Sequence, residues 1–428
     1  MAAGTMSHPL SDILAEAAGE TPPDQAIDRI LEAVRTHLGM DIAFASRFID
    51  GRREFTHVNS EGPAPARPGD SEPQEDTYCW RILQGRLPEL IIDAKDHPEA
   101  AELPITAALP VGSHLNVPLR LSDGSVYGSF CCLSHVPDRT LTERDLLTIR
   151  AFADLAVNQI ELDLNDEKER ADRVARITQV IEQDRIAMVY QPIHRLGDGR
   201  PVGVEALARF PDQASRTPDK WFAEAARIGL GVELEMLAVR QALRGLPFIP
   251  AELYVAVNVS PATALAPELE QVIAAAPAGR LVVEVTEHSK VGDYDALCAA
   301  LARLRTRARI AIDDVGAGYS GLRRILDLRP DILKLDMSLT RDVDSDPARA
   351  SLVQAMVSFA DGIGCRIVAE GVETQAEMKT LQALGVGYGQ GWYFSRPMPS
   401  VAVQQFLLGV EAKAEPRPAP PPPARRTA

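Results

Sequence analysis

The 428-residue chain sets 45 Lys and Arg against 60 Asp and Glu, a formal charge of −15, with 46% hydrophobic and 25% charged residues. That is an ordinary globular composition, long enough for two or three cores. The negative charge argues against a nucleic-acid polymer as partner, though not against a small phosphate ligand held by arginines and cations. The five cysteines, Cys79, Cys131, Cys132, Cys298 and Cys365, include no CxxC, so neither a disulfide framework nor a zinc knuckle is expected, and a reducing cytoplasm suits them. No apolar run approaches the ~18 residues of a membrane span. MAAGTMSHPLSD lacks the basic and apolar regions of a signal peptide, so no membrane association is expected.

In chain order, residues 1–23 read as a flexible leader ending at Pro22 and Pro23. AIDRILEAVRTHLG then spaces Ile27, Ile30, Leu31, Val34 and Leu38 as one helix face. DIAFASRFI reads as a strand, and the polar stretch Ser60 to Asp76, rich in Pro and Gly, as a long loop. In VGSHLNVPLRLSDGSVYGSFCCLS two strand-like halves meet at Ser122-Asp123-Gly124, a hairpin signal. Cys131 and Cys132 within it read as buried thiols. The amphipathic run LTERDLLTIRAFADLAVNQIELDL closes an α+β domain over residues 24–162. On the VPL-x-x-SDG-x-x-YGSFC run and the flanking helices, this half resembles a GAF sensory domain. The resemblance implies a pocket beside the sheet for an unidentified ligand or signal. Cys79 lacks the following His that bilin-binding relatives show.

The helical pattern continues from about Leu141 to Ile181, which makes residues 163–170 a helical linker. A solvated linker helix and a parallel dimer seam both stay open, because the apolar spacing is too irregular for a coiled coil. Beyond Ala171 strand-like and helical runs alternate. The strand-like runs are AMVYQPI, PVGVEALARF, LYVAVNVS, RLVVEVTEH, RIAIDDVG, DILKLDM, CRIVAEGV and GYGQGWYF. Eight such runs over residues 171–410, mostly separated by helices, predict an α/β fold, a (β/α)8 TIM-like barrel. Residues 411–428 are proline-rich and expected to be disordered.

The stretch that organises this half is Arg309 to Ser320, RIAIDDVGAGYS. A buried strand runs into Asp313 and Asp314, where charge is costly unless neutralised. Gly316 and Gly318 suit a tight loop. A helix N-terminus with capping aspartates is the alternative for this segment alone. Barrel enzymes carry their chemistry at the C-terminal ends of strands. Gln191, Glu205, Asn258, Glu284, Asp313 with Asp314, Lys334, Glu370 and Gln390 all read as strand-end residues, one strand each. Apart from His288, no histidine or cysteine joins them, and an all-oxygen set suits Mg²⁺ or Mn²⁺ rather than zinc. Five carboxylates exceed the needs of one divalent ion. Two metals sharing an aspartate would clamp the attacking and leaving oxygens of a phosphoryl displacement. Lys334 then orients or deprotonates water, or serves as a counter-charge to Asp336.

The motifs QPI at Gln191, EALAR at Glu205, NVS at Asn258, EVTE at Glu284, DDVGAGYS at Asp313, LKLD at Leu333, AEGVET at Ala369 and QGWYFSRPMP at Gln390 follow in order. In them residues 171–408 resemble the EAL-domain family of cyclic di-GMP phosphodiesterases. The resemblance implies hydrolysis of cyclic di-GMP to linear pGpG, with the family's site roles falling on the matching positions. Glu205, Asn258, Glu284 and Asp313 would bind one metal, and Asp313, Asp314 and Glu370 the second. Catalysis would fall to Lys334, Glu370, Glu205, Gln390 and Glu287, the last bracing the glycine loop. Gln191, Leu207, Arg209, Asp336, Glu373, Gly391 and Pro397 would contact the substrate.

The chain departs from the family's DDFGTGYSSL at Val315, Ala317 and Gly321, and from EALLR at Ala208. No implied metal ligand is lost, and no GGDEF signature accompanies them. A homodimeric GAF–EAL phosphodiesterase is the leading expectation. An EAL-type receptor that holds cyclic di-GMP without cleaving it, and a hydrolase of another phosphodiester, are the rivals.

Overall fold

The computed structural model describes residues 25–211, 216–286, 293–315 and 321–413, with the side chains of 321–324 and 411–413 left aside. The chain divides into two units that meet between Glu169 and Arg170. One 40-residue helix, Glu143–Glu182, runs through that boundary and covers the helix expected at 141–181.

The first unit is built on strands β1 (Ile42–Ile49), β2 (Arg52–Ser60), β3 (Ser71–Pro73), β4 (Leu90–Ile91), β5 (Ser113–Arg120) and β6 (Val126–Ser134). They form one antiparallel sheet in the order β3-β2-β1-β6-β5-β4. The expected β5–β6 hairpin is present, with Gly124 at φ 84°. The loop expected at Ser60–Asp76 is partly structured, because β2 ends at Ser60 and β3 lies inside it, pairing with β2. Side chains alternate across the sheet. Ala43, Ala45, Leu115, Val117, Leu119, Phe130 and Cys132 pack with helix Ala26–Leu38 and with Ile149 and Phe152 of the long helix. Ile42, Phe44, Cys131 and Leu133 form the opposite face, where Cys79 joins them from helix Tyr78–Leu83. A cavity of about 510 Å³ opens on that side, lined by Phe44, Arg53, Phe55, Tyr78, His114 and Leu133 among others.

The second unit is a closed eight-stranded barrel of β7 (Ala187–Arg195), β8 (Pro201–Arg209), β9 (Tyr254–Val259), β10 (Leu281–Thr286), β11 (Ala308–Val315), β12 (Ile332–Leu335), β13 (Arg366–Ala369) and β14 (Tyr388–Gly389). A short β15 (Met398–Pro399) pairs antiparallel with Val189 and Tyr190 of β7. Strands β8 to β14 run parallel, but β7 is antiparallel to both of its neighbours, β8 and β14. The uniform strand direction of a regular (β/α)8 barrel therefore fails at one strand. The cause is local: only Leu196 to Arg200 connect β7 to β8, with Gly199 at φ 69°, and a parallel crossover needs a dozen residues or more.

The inner face carries an apolar layer of Ile193, Tyr254, Ala256, Val282, Ala311, Ile332 and Val368, with Tyr388 packed against it. The outward residues, such as Val204, Val255, Val283, Ile310 and Leu333, pack in the larger core that the helices cover. Two residues beyond the inner layer on successive strands stand Asn258, Glu284, Asp313, Lys334, Glu370 and Gln390. A period of two places each on the inner face, one layer higher. The end of β14 is fixed by close backbone approach. Val372 donates to the Gln390 carbonyl at 3.0 Å, and a Cβ on Gly391 would meet backbone atoms of Val372 at 2.1 to 2.7 Å. Gly391→Ala is expected to cost about 1–3 kcal/mol by overpacking, read as a lower denaturant midpoint in equilibrium unfolding. An unchanged midpoint would mean that this contact yields freely.

Candidate functional site

The pairing of β11 with β12 slips between Ile312 and Val315: Ile312 faces Leu333, Val315 faces Leu335, and both aspartates span the place of Lys334. This is a β-bulge, and Asp314 within it takes a left-handed φ of 57°. In a regular strand Asp313 and Asp314 would point to opposite faces. The bulge instead brings carboxylate oxygens of Asp313, Asp314 and Glu370 within 4.8 Å of one another. The sequence expectation paired these carboxylates without supplying the backbone device that lets both face inward.

At the centre is Lys334, 1% exposed. Its ammonium lies 2.6 Å from Glu370, 2.7 Å from Glu284, 3.3 Å from Asp313 and 3.4 Å from Glu205. It pairs with these four and not with Asp336, so the counter-charge reading is corrected. Asp336 caps helix Met337–Thr340 instead, accepting from the Ser338 amide at 2.9 Å. Two amides steady Glu205: Asn258 Nδ2 and Gln390 Nε2 each donate to it at 2.7 Å. Gln390 also donates to Gln191 Oε1 at 3.0 Å, and Gln191 donates to the Ser395 carbonyl at 3.1 Å. Gln191 sits in the middle of the reversed strand β7, opposite Glu205 in register, not at a C-terminal strand end. Glu205 is likewise mid-strand, and Glu370 and Gln390 lie one residue past theirs.

Five carboxylates and one ammonium leave the cluster with four uncompensated negative charges when all are ionised. Burial raises Lys334's cost, yet the surrounding carboxylates outweigh it and hold its pKa well above the usual value. Burial pushes Glu205 up, but Lys334 and the two amides draw it below the ordinary range. Burial carries Glu284 well above that range despite Lys334, with Glu205 and Asp313 adding repulsion. Burial also takes Glu370 up to about 8 against the pull of Lys334. Buried and crowded together, these carboxylates carry an excess of negative charge that protons or cations must offset. Asn258 Oδ1 and Gln390 Oε1 are buried without a hydrogen-bond partner. Oxygen ligands beside a carboxylate set are the donors that hard divalent cations take.

The remaining expected residues stand apart from this cluster. Glu373 is paired with Arg341 at 2.6 Å. Arg209 donates to the neighbouring Ala208 carbonyl at 2.9 Å and lines a surface cleft with Asp184 and Arg185. Leu207 and Pro397 are half-buried, and Gly391 is occupied by its approach to Val372. Glu287, His288 and the glycine loop from Gly316 to Ser320 lie outside the described residues. Two supports escaped the sequence reading. Thr340 Oγ1 donates to the Glu370 carbonyl. Glu377 accepts from the amides of Asp342, Glu373 and Thr374 at 2.9 to 3.1 Å. The second was legible as the capping box Thr374-x-x-Glu377.

The sequence model of the EAL domain matches residues 174–397, more than half of the chain. The chain belongs to the EAL domain family. The model of the GAF domain matches residues 22–160, and the EAL barrel is preceded by an N-terminal GAF domain. Cyclic di-GMP phosphodiesterase NbdA of Pseudomonas aeruginosa is 32% identical over 253 residues, 56% of this chain and 32% of that protein. Probable cyclic di-GMP phosphodiesterase PdeD of Escherichia coli is 30% identical over 254 residues, 57% of this chain and 46% of that one. The chain thus spans less than half the length of these curated relatives. The solved EAL enzyme Bd1971, in its cAMP- and cyclic-di-GMP-bound form, has a TM-score of 0.53 at 18% identity over 86% of this chain and 93% of its own. That likeness speaks for the fold alone.

The pKa of Glu370 yields a signed expectation. Its folded value of about 8 lies above the ordinary 4.5. The stability held by its proton is therefore full below pH 4.5 and is lost as pH rises through about 8. In chelator, melts of the wild type should fall relative to Glu370→Gln across that window, and Mn²⁺ should restore the wild type. Parallel pH curves for the two proteins would contradict the assignment.

Proposed function

We propose that the barrel hydrolyses one phosphodiester of cyclic di-GMP to linear pGpG with two divalent cations, Mg²⁺ or Mn²⁺. The observation that carries the reading is the cluster of five carboxylates, four of them paired with the buried Lys334, whose excess of negative charge two such cations would balance. Family membership and the printed activities of NbdA and PdeD support the choice of substrate. In this reading Glu205, Asn258, Glu284 and Asp313 hold one cation, and Asp313, Asp314 and Glu370 hold the other. The bound pair supplies Lewis-acid stabilisation of the attacking and leaving oxygens and acidifies water.

The chain's own residues do the rest. Lys334 keeps the carboxylates gathered in one place and presents an N–H to an attacking water. Gln390, tied to Gln191 and Glu205, fixes the orientation of the Glu205 carboxylate. Arg209 offers a guanidinium fork to a phosphate. Gln191, Leu207, Asp336, Glu373, Gly391 and Pro397 complete the proposed substrate contacts, with Glu373 exchanging Arg341 for the nucleotide. Glu287 is proposed to brace the loop that follows Asp314.

Regulation by the GAF domain belongs to the same proposal, supported by its cavity of about 510 Å³. Self-association belongs to it too; the long helix exposes Leu147, Leu162, Leu164 and Val174, which by themselves do not specify how two copies would meet. At about 100° per residue these fall on different faces and describe no single coiled-coil seam. The five free cysteines suit the cytoplasm proposed as its compartment. No helix among the described residues is long and apolar enough to cross a membrane.

The test is chromatography of cyclic di-GMP incubated with the full chain and Mg²⁺ or Mn²⁺. The expected product is pGpG, abolished by chelator and slowed on the order of 10²–10⁴-fold by Lys334→Ala. Tight binding without product in both metals would overturn hydrolysis and leave a receptor.

A further inference from the structure

Outside the barrel, the GAF domain holds a second unusual cluster. Cys79 Sγ lies 3.3 Å from Cys131 Sγ, and both thiols are free and buried. They come from different elements, helix Tyr78–Leu83 and central strand β6. Arg53 of β2, 5% exposed, donates through Nη1 to Cys79 Sγ at 3.2 Å. Its guanidinium is held over the rings of Phe44 and Phe55, with centroids 5.0 and 4.3 Å away, and pairs with Glu72 of β3. Ser129 Oγ lies 3.4 Å from Cys131 Sγ.

Packing alone does not account for this group. Two thiols fill a core without help, whereas burying a guanidinium is costly unless it is paired. The neighbouring Cys132 shows the contrast. It faces the opposite side of the sheet among Leu115, Val117 and Phe152, and burial pushes its thiol far up. For Cys79 burial acts in the same direction, but the hydrogen bond from Cys131 and the charge of Arg53 outweigh it and bring the thiol down to about 6. Cys131 is driven well above the ordinary value, by burial and then by Cys79. One low thiol and one high thiol in contact are what an attacking and a resolving cysteine require.

We propose that Cys79 and Cys131 form a peroxide-reactive dithiol site, with Arg53 stabilising the attacking thiolate. The cavity of about 510 Å³ comes up to the site at Arg53, the hydrogen-bond partner of Cys79, and at Tyr78, its chain neighbour; neither sulfur lines it, so a small peroxide has to pass between these side chains to reach Cys79. The thiolate of Cys79 attacks one oxygen of a hydroperoxide, the O–O bond breaks, and the leaving alkoxide or hydroxide takes a proton from water. Cys79 is then a sulfenic acid. The Cys131 thiol displaces its hydroxyl, a disulfide forms, and water leaves with the thiol proton. Two thiols are oxidised by two electrons and one peroxide is reduced, so the step balances. The two sulfurs must close from 3.3 Å to the ~2.05 Å of a disulfide, which draws the helix of Tyr78 towards the strand of Leu133 at the cavity wall.

The titratable groups around the Arg53–Cys79 contact are Glu72 from β3, His114 from β5 and Cys131 from β6. His114 is held neutral at neutral pH, taken down to about 3 by burial and by Arg53. The charge on Cys79 is therefore set chiefly by Arg53 and Cys131.

The experiment exposes the full chain to hydrogen peroxide under native conditions, then denatures it, alkylates it and counts thiols by mass. The wild type should lose two of its five thiols, peptide mapping should find Cys79 joined to Cys131, and a dithiol reductant should restore both. Cys131→Ser should instead accumulate a sulfenic acid on Cys79, trapped by a dimedone probe. Arg53→Gln should react roughly tenfold more slowly at neutral pH than Arg53→Lys, which retains the charge. Five surviving thiols, a crosslink through Cys132, Cys298 or Cys365, or equal rates in the two Arg53 variants would overturn the proposal. The wild-type count depends on no variant folding.

Discussion

The barrel is organised around the burial of a single ammonium. Lys334 lies in the interior of a closed sheet, where an unpaired charge would be driven to neutrality, and four carboxylates within 3.4 Å keep it charged. An opposite pair near 4 Å is worth on the order of 4 kcal/mol at an effective dielectric of about 20. The same geometry forces the carboxylates against one another. Burial, with that repulsion added to it, gives Glu284 and Glu370 their high proton affinity. A lysine alone cannot settle this site, and the orphaned oxygens of Asn258 and Gln390 face the same shortage of positive charge.

That requirement propagates outward through the backbone. The bulge at Asp313 and Asp314 adds a carboxylate at the cost of a left-handed aspartate, a strain of order 1–3 kcal/mol. Strands β13 and β14 are only four and two residues long, so Glu370 and Gln390 depend on loops beyond them. Those loops are tied by Thr340 on the Glu370 carbonyl, by Glu377 on three amides, and by the approach of Gly391 to Val372. The reversed strand β7 brings Gln191 to the same layer from the opposite direction, through its register with Glu205. Function and fold share one polar layer resting on one apolar layer.

Much of this was legible in the sequence for a simple reason. Ala256 with Asn258, Val282 with Glu284, Ala311 with Asp313 and Ile332 with Lys334 repeat one apolar-to-polar step at period two. Such a step marks the upper end of a barrel strand's inner face. What stayed hidden depended on pairing. The direction of β7 is set by a five-residue connection that reads as a turn only once β7 and β8 are known to be neighbours. The bulge follows from register against β12, which no local pattern displays. Lys334 was matched to Asp336 as a possible partner by proximity in sequence, whereas its real partners come from four other strands or strand ends. In the GAF domain β2 went unread although Asp50-Gly51, both at positive φ, is a strong hairpin signal. The meeting of Cys79 with Cys131, 52 positions apart, had no sequence signal at all.

The central claim is that the carboxylate cluster is a two-cation site. Titration of the full chain with Mn²⁺, following free ion by electron paramagnetic resonance, tests it most directly. Two equivalents bound per chain, falling to one in Asp314→Asn, is the result this account predicts. One equivalent or none in the wild type, or a stoichiometry that Asp314→Asn leaves unchanged, would contradict it.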